Sequence, residues 1–116
     1  MTIPDATFVK VCATADIKRG EVIAAEVNGV PLAIVHCGDD SIRAVYDECS
    51  HAQIPLSEGE VDGCTLECWL HGSRFDLTTG QPTGLPATEP VPIYPVEIHD
   101  GDIYVSLVPS NGVEQP

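Results

Sequence analysis

Short apolar runs separated by tight-turn dipeptides make up most of the chain. Asn28-Gly29 joins EVIAAEV (21–27) to VPLAIVHC (30–37), and Asp100-Gly101 joins VEIH to DIYVSL. Asn-Gly and Asp-Gly favour the two-residue turns whose twist matches paired strands, so both pairs of runs predict hairpins. Asp62-Gly63, between EV and CTLEC, predicts a third and shorter hairpin.

The remaining apolar runs also favour strands over helices. Residues 8–12 and the partly alternating SIRAVYDE (41–48) predict two more strands. No segment keeps a 3.6-residue period, and DATFVKVCATADIKRGE has room for only one helical turn, near Asp16. Short strands without crossover helices predict an antiparallel sandwich or a partly open barrel.

A proline-rich stretch interrupts this pattern before the last hairpin. Residues 80–95, GQPTGLPATEPVPIYP, contain five prolines. Proline cannot donate to a sheet ladder and its φ is fixed, so the stretch predicts an ordered loop outside the sheets, lying on the domain's own surface. The tail PSNGVEQP (109–116) is expected to fray. At 116 residues, the chain predicts one domain, 1–116.

Charge and cysteine content narrow the possible roles. With 18 acidic and 5 basic residues the formal charge is −13, which argues against nucleic acid or an anionic membrane as the main partner. The first ten residues do not resemble a signal peptide, so we expect a cytoplasmic protein. Five cysteines without an export signal do not suggest a disulfide framework. We therefore interpret Cys12, Cys37 and Cys64 as buried free thiols.

The candidate chemistry lies in two short clusters. Cys49-Ser50-His51 has the pattern C-x-H, and after sixteen intervening residues Cys68-Trp69-Leu70-His71 has the pattern C-x-x-H. Each cluster offers one thiolate and one imidazole where a predicted strand gives way to a loop. Two Cys and two His can bind zinc, but zinc fingers usually pair Cys with Cys and His with His. The mixed loops instead suit the two inequivalent irons of a Rieske [2Fe–2S] centre.

On these residues the sequence resembles Rieske-type ferredoxins, in particular the ferredoxin components of bacterial ring-hydroxylating oxygenase systems. CSH at 49–51, CWLHGSRFD at 68–76 and the proline stretch after them carry the resemblance, which spans about residues 8–108. It implies an all-β fold, a Rieske-type antiparallel β-sandwich. Two loops, at about 48–76, would form a small cluster-binding subdomain, and the proline loop would cover the cluster.

The resemblance also implies a ligand for each iron of one [2Fe–2S] cluster. Cys49 and Cys68 would bind the buried iron, whereas His51 and His71 would bind the outer iron near the surface. Two thiolates and two neutral imidazoles leave the oxidised centre uncharged, so adding an electron is easier than in a four-cysteine ferredoxin.

The implied function is one-electron transfer in aromatic hydrocarbon catabolism. Electrons would come from an NAD(P)H-dependent flavoprotein reductase and pass to a terminal ring-hydroxylating oxygenase. Only 45 residues follow His71, and one of them is a histidine, so there is no room for the mononuclear iron domain of dioxygenase catalytic subunits. We therefore predict no enzymatic activity. Two alternatives stay open, namely a Rieske ferredoxin or small subunit of another redox system, and a zinc-stabilised binding module.

Two features predict a low reduction potential. Ile54 and Leu70 occupy the positions where high-potential Rieske proteins carry an additional disulfide. Ser73 matches a hydroxyl that donates to the cluster in those proteins, but Phe75 replaces a tyrosine that also donates. Fewer donors stabilise the reduced charge less, so we expect a value of about −150 mV, at the low end of the Rieske range.

Overall fold

The computed structural model describes residues 8–48, 55–68, 74–83 and 89–113. Its regular structure there consists of strands and two single 3₁₀ turns, Thr14–Asp16 and Leu56–Glu58. The strands are β1 (Phe8–Ala13), β2 (Val22–Val27), β3 (Val30–His36), β4 (Ile42–Tyr46), β5 (Glu60–Asp62), β6 (Thr65–Glu67), β7 (Arg74–Asp76), β8 (Ile93–Tyr94), β9 (Val96–His99) and β10 (Asp102–Ser106). The predicted all-β class is confirmed. Within the described ranges, no helix is long and apolar enough to cross a membrane.

These strands form three antiparallel sheets. The first has the order β1-β10-β9, the central one β2-β3-β4-β8, and the third β5-β6-β7. The third sheet contains the C-terminal half of the segment predicted to bind the cluster. The single turn expected near Asp16 is confirmed as the 3₁₀ turn at Thr14–Asp16.

The two longer hairpins form at the turns that the sequence predicts. Asn28 and Gly29 have φ of 50° and 82°, and Asp100 and Gly101 have φ of 53° and 79°. Two successive positive φ values are the geometry that Asn-Gly and Asp-Gly supply most easily. The register of β2 with β3 and of β9 with β10 follows from these turns.

The third hairpin forms with its turn displaced by one residue. Asp62 pairs with Thr65, so the two turn residues are Gly63 and Cys64 instead of Asp62 and Gly63. Gly63 has φ of 61°, and as the first central residue it provides the conformation that a two-residue turn needs there. The shift places Cys64 at the tip of the hairpin.

Strand β3 is buried on both faces. Leu32 and Ile34 belong to an apolar cluster shared with the first sheet, whereas Ala33, Val35 and Cys37, just after the strand, belong to a second cluster shared with the third sheet. This explains the nearly continuous apolar run in VPLAIVHC, because a strand covered on both sides has no polar face. The central sheet is thus the middle layer of three.

Part of the proline-rich stretch is strand, so the prediction of a loop throughout 80–95 is wrong at its end. Ile93 and Tyr94 form β8, pair with β4 and are buried. Pro92 and Pro95 lie on either side of this two-residue strand. Proline at the border of a strand does not prevent the residues between from pairing. Residues 84–88 lie outside the described residues.

The prediction of a frayed tail is wrong for residues 110–113. The Ser110 amide donates to the Ile93 carbonyl at 2.7 Å. The Asn111 side chain accepts from the Ile93 amide at 3.1 Å and donates to the carbonyls of Thr79 and Val91 at 2.8 and 2.9 Å. The Asn111 side chain therefore links the C-terminal segment to Thr79 and to residues 91–93. Residues 114–116 lie outside the described residues.

Candidate metal centre

Cys68 is the one predicted ligand that the described part of the chain includes. It directly follows β6, has no exposed surface and is not part of a disulfide. It belongs to the same buried apolar cluster as Leu66 and Phe75. The other three predicted ligands, Cys49, His51 and His71, lie outside the described residues, as do Ile54, Leu70 and Ser73.

Strands β6 and β7 bring together the two ends of the second cluster segment. Glu67 and Arg74 are directly paired across the two strands, and their side chains form an ion pair of 3.5 Å. Arg74 also donates to Asp62 Oδ2 at 2.7 Å. The five residues between Cys68 and Arg74 therefore connect two neighbouring strand ends.

A carboxylate holds together the two ends of the first cluster segment. The amide of Ser57 donates to Asp47 Oδ1 at 2.6 Å, and the Ser57 hydroxyl donates to Oδ2 at 2.7 Å. The Asp47 amide donates to the Pro31 carbonyl at 3.1 Å, which fixes this point to the central sheet. Hydrogen bonds to an ionised carboxylate are stronger than those between neutral groups. Sequence reasoning missed this link, since an Asp and a Ser ten residues apart carry no distinctive signal.

The two segments meet at one end of the third sheet, where β5 begins and β6 ends. Gly59 packs so closely on the backbone of Glu67 that a Cβ at Gly59 would overlap the Glu67 carbonyl oxygen. Glu60, the first residue of β5, pairs with the same Glu67. The exit of the first segment thus lies against the residue that precedes Cys68, which is the juxtaposition that two ligand loops on one centre require.

The residues present here fit an iron–sulfur cluster. A buried free thiol among apolar side chains is a soft ligand in a site of low polarity, which favours thiolate-bound iron. The neighbouring Phe75 is fully buried in the same cluster of side chains and brings no hydroxyl.

Of the three cysteines predicted to be free thiols, Cys12 is free and the other two are bridged. Cys37 and Cys64 form a disulfide with their Cα atoms 4.8 Å apart, so the prediction of free thiols is wrong for both. The turns after β3 and β5 bring the two residues together across 27 positions, a long-range contact that the local pattern does not contain. Cys12 is free and half-buried, and burial, with a smaller effect of Asp16, raises the pKa of its thiol.

Comparison with known families identifies the class of domain. The profile of the family described as "Rieske [2Fe-2S] domain" matches residues 7–95. The chain belongs to this family, and its cofactor is one Rieske-type [2Fe–2S] cluster. The mixed Cys/His clusters at 49–51 and 68–71 lie within the matched range.

Individual relatives are small ferredoxins of dioxygenase systems. "Ferredoxin CarAc" of Metapseudomonas resinovorans is 38% identical over 100 residues, which cover 85% of this chain and 92% of the relative. The "3-phenylpropionate/cinnamic acid dioxygenase ferredoxin subunit" of Escherichia coli K12 is 39% identical over 97 residues, covering 83% and 90%. A chain in the solved "Complex of reduced oxygenase and oxidized ferredoxin in carbazole 1,9a-dioxygenase" has a TM-score of 0.80 and 34% identity, with 97% and 99% covered.

Proposed function

We propose that this chain is a one-electron carrier between an NAD(P)H-dependent flavoprotein reductase and a terminal ring-hydroxylating oxygenase. The observation that carries the proposal is the match, over 97% of this chain, to a chain from a structure of an oxygenase with its ferredoxin. Matches to two ferredoxins over more than 80% of this chain point the same way. A reductase that uses NAD(P)H would place the system in the cytoplasm.

We assign the cluster ligands as predicted from the sequence. Cys49 and Cys68 would bind one iron, and His51 and His71 the other. The bound cluster would supply reversible uptake of one electron. Two observations support this assignment. Cys68 is fully buried, and the packing of Gly59 on Glu67 brings both segments to one end of the third sheet.

The carrier has no catalytic role of its own in this proposal. The stretch from residue 72 to 116 contains one histidine, His99, so this stretch does not supply the histidine pair of a mononuclear iron site. The net charge of −13 favours a basic docking surface on each protein partner and disfavours nucleic acid and anionic lipid.

A reductive titration followed by visible absorbance and metal analysis tests the proposal. We expect a coloured protein with two irons per chain, reduced in a single one-electron step at about −150 mV. A midpoint well above zero would assign the chain to a high-potential system instead. A colourless, zinc-containing protein that takes up no electron would refute the proposal.

The variant His71→Cys tests the ligand assignment. A third thiolate adds a negative charge to the centre, so we expect a lower potential and an altered visible spectrum with iron still bound. His99→Cys makes the same chemical change elsewhere and should leave both properties unchanged. An unchanged potential in His71→Cys would contradict the role of His71.

A further inference from the structure

The disulfide between Cys37 and Cys64 joins the central sheet to the third sheet. Cys37 follows β3, and Cys64 is the second residue of the turn between β5 and β6. Beside it, the Gly38 amide donates to the Gly63 carbonyl at 2.9 Å. A Cβ at Gly38 would lie at an ordinary contact distance of 3.4 Å from the Gly63 Cα, so the two turns lie next to each other. Covalent and hydrogen bonds thus fasten this end of the third sheet.

Cys64 and the predicted ligand Cys68 lie at opposite ends of one strand. Cys64 directly precedes β6 and Cys68 directly follows it. Four residue steps along this extended segment place the two about 13 Å apart. The amide of Leu77 donates to the Cys64 carbonyl at 3.0 Å and continues the contact into the chain after β7. Holding Cys64 therefore fixes the strand that carries Cys68.

The two sulfurs differ in access. Cys37 has no exposed surface, whereas Cys64 is half-buried and packs at the border of the apolar cluster. A thiolate from solvent would attack the Cys64 sulfur and release the Cys37 thiolate. The second thiol of a dithiol reagent then displaces Cys64, so the reagent ends as a cyclic disulfide and the protein gains two electrons and two protons. A small disulfide drives the reverse reaction and is itself reduced to thiols.

Asp39 lies close enough to influence this exchange. One of its carboxylate oxygens and the two sulfurs lie within 4.8 Å of one another. The Ser41 hydroxyl and amide donate to Asp39 Oδ1 at 2.6 and 3.0 Å, and these bonds lower the pKa of the carboxyl. Asp39 is therefore ionised at neutral pH. A neighbouring negative charge disfavours a thiolate, so it slows exchange at this pair.

We propose that Cys37 and Cys64 form a redox-reversible clamp whose closure slows loss of the [2Fe–2S] cluster. Exchange with small thiols and disulfides opens and closes it. The closed clamp restrains β6, and Cys68 at the end of β6 would then stay in place as a ligand. The link to cluster retention rests on the role proposed above for Cys68, whereas the exchange itself does not.

The experiment uses the purified protein with its cluster, equilibrated in mixtures of reduced and oxidised dithiothreitol. Alkylation followed by peptide mass analysis gives the fraction of Cys37 and Cys64 that is bridged. Absorbance in the presence of an iron chelator gives the rate of cluster loss. We expect that rate to rise several-fold as the bridge opens.

Matched variants separate the clamp from other effects of the reagent. In the double variant Cys37→Ser/Cys64→Ser, the cluster should be lost quickly. The rate of this loss should no longer depend on the ratio of reduced to oxidised dithiothreitol. Cys12→Ser removes the free cysteine of β1. In this variant the rate of cluster loss should depend on the dithiothreitol ratio as it does in the wild type. Asp39→Asn should speed both the opening and the closing of the disulfide. It should leave the rate of cluster loss unchanged in the bridged state and in the open state. A purely structural role of Asp39 would not produce this combination.

The possible failures are distinguishable. Free Cys37 and Cys64 thiols under oxidising mixtures would overturn the clamp, whatever the cluster does. A cluster lost at the same rate with the bridge open and closed would also overturn it. A protein that binds no iron at all would instead refute the proposed function, while alkylation would still report the state of the bridge. The wild-type measurement needs no variant to fold.

Discussion

At the scale of single residues, Phe75 offers a test of how hydrogen bonding sets the reduction potential of the cluster. It is fully buried in the same apolar cluster as Cys68. Because a hydroxyl that donates to a cluster sulfur stabilises the added electron, we expect Phe75→Tyr to raise the potential, measured by reductive titration.

Phe8→Tyr is the matched control for this change. Phe8 is half-buried in β1, in the first sheet, and the same substitution there should leave the potential unchanged. A lower or unaltered potential in Phe75→Tyr, with the iron content and fold retained, would show that this side chain does not face the sulfurs.

The raised pKa of the Tyr94 hydroxyl predicts how the stability of the protein responds to alkaline pH. Burial, with a smaller effect of Tyr46, raises the pKa of Tyr94 from 10.0 to about 12. Between these values the unfolded chain releases the phenolic proton and the folded one keeps it, so stability falls as pH rises. The loss of stability begins near pH 10 and approaches about 3 kcal/mol only above pH 12.

Urea unfolding between pH 9 and 12, roughly the window set by these pKa values, measures this loss. In Tyr94→Phe the fall should be smaller, since the group that binds the proton is absent. Tyr104→Phe, on β10, serves as the control and should keep the wild-type slope. The interpretation fails if Tyr94→Phe and the wild type lose stability in parallel.

At the scale of elements, the packing of Gly59 on the strand before Cys68 is the contact most sensitive to substitution. The backbone of Gly59, with φ of −88°, is one that alanine also adopts, so the cost of Gly59→Ala is steric. Its Cβ would overlap the Glu67 carbonyl. We expect a loss of about 2 kcal/mol in free energy of unfolding, measured in urea, and faster cluster loss.

Gly38→Ala provides the comparison at the other end of the same sheet. There a Cβ would lie at an ordinary contact distance of 3.4 Å from Gly63 Cα. We expect it to cost less than about 1 kcal/mol. Equal destabilisation by the two variants would show that the contact between Gly59 and Glu67 does not hold the two segments together.

The same elements show which parts of the fold are encoded locally. The long hairpins follow from Asn28-Gly29 and Asp100-Gly101, because positive φ is a property of the turn residues themselves. Strands β7 and β8 are three and two residues long and exist through partners elsewhere in the chain, so no local period marks them.

The candidate site also has a part that the local sequence predicts and a part that depends on contacts between distant residues. The proposed ligands, Cys49, His51, Cys68 and His71, form a pattern that residue types and spacing alone predict. By contrast, the carboxylate link from Asp47 to Ser57 and the bridge from Cys37 to Cys64 join residues that only the folded chain brings together. Both support the candidate centre from outside the motif, and neither has a sequence signature of its own.

At the scale of the whole molecule, the excess of acidic groups predicts a response to salt. The 18 acidic and 5 basic residues leave a charge of −13, and the folded state holds these like charges closer together than the unfolded chain does. Salt screens the repulsion, so we expect the urea midpoint to rise between low and moderate salt at pH 7.

Choline chloride in place of sodium chloride at equal ionic strength tests whether screening is the cause. Both salts should raise the midpoint equally. A rise with sodium chloride alone would indicate binding of a specific cation, and a fall with both would mean that surface ion pairs such as that of Lys10 with Asp102 outweigh the repulsion.

The burial of β3 on both faces also determines what happens when the third layer separates. Ala33 and Val35, together with Val45 and Ile93, then form an uncovered apolar wall on an otherwise intact sandwich. A flat apolar sheet surface of this kind adheres to its own copies. Protein that has lost its cluster, and whose third sheet has separated from the central sheet, is therefore expected to aggregate before its remaining sheets unfold. Light scattering during storage would detect this aggregation before circular dichroism detects a loss of strand structure.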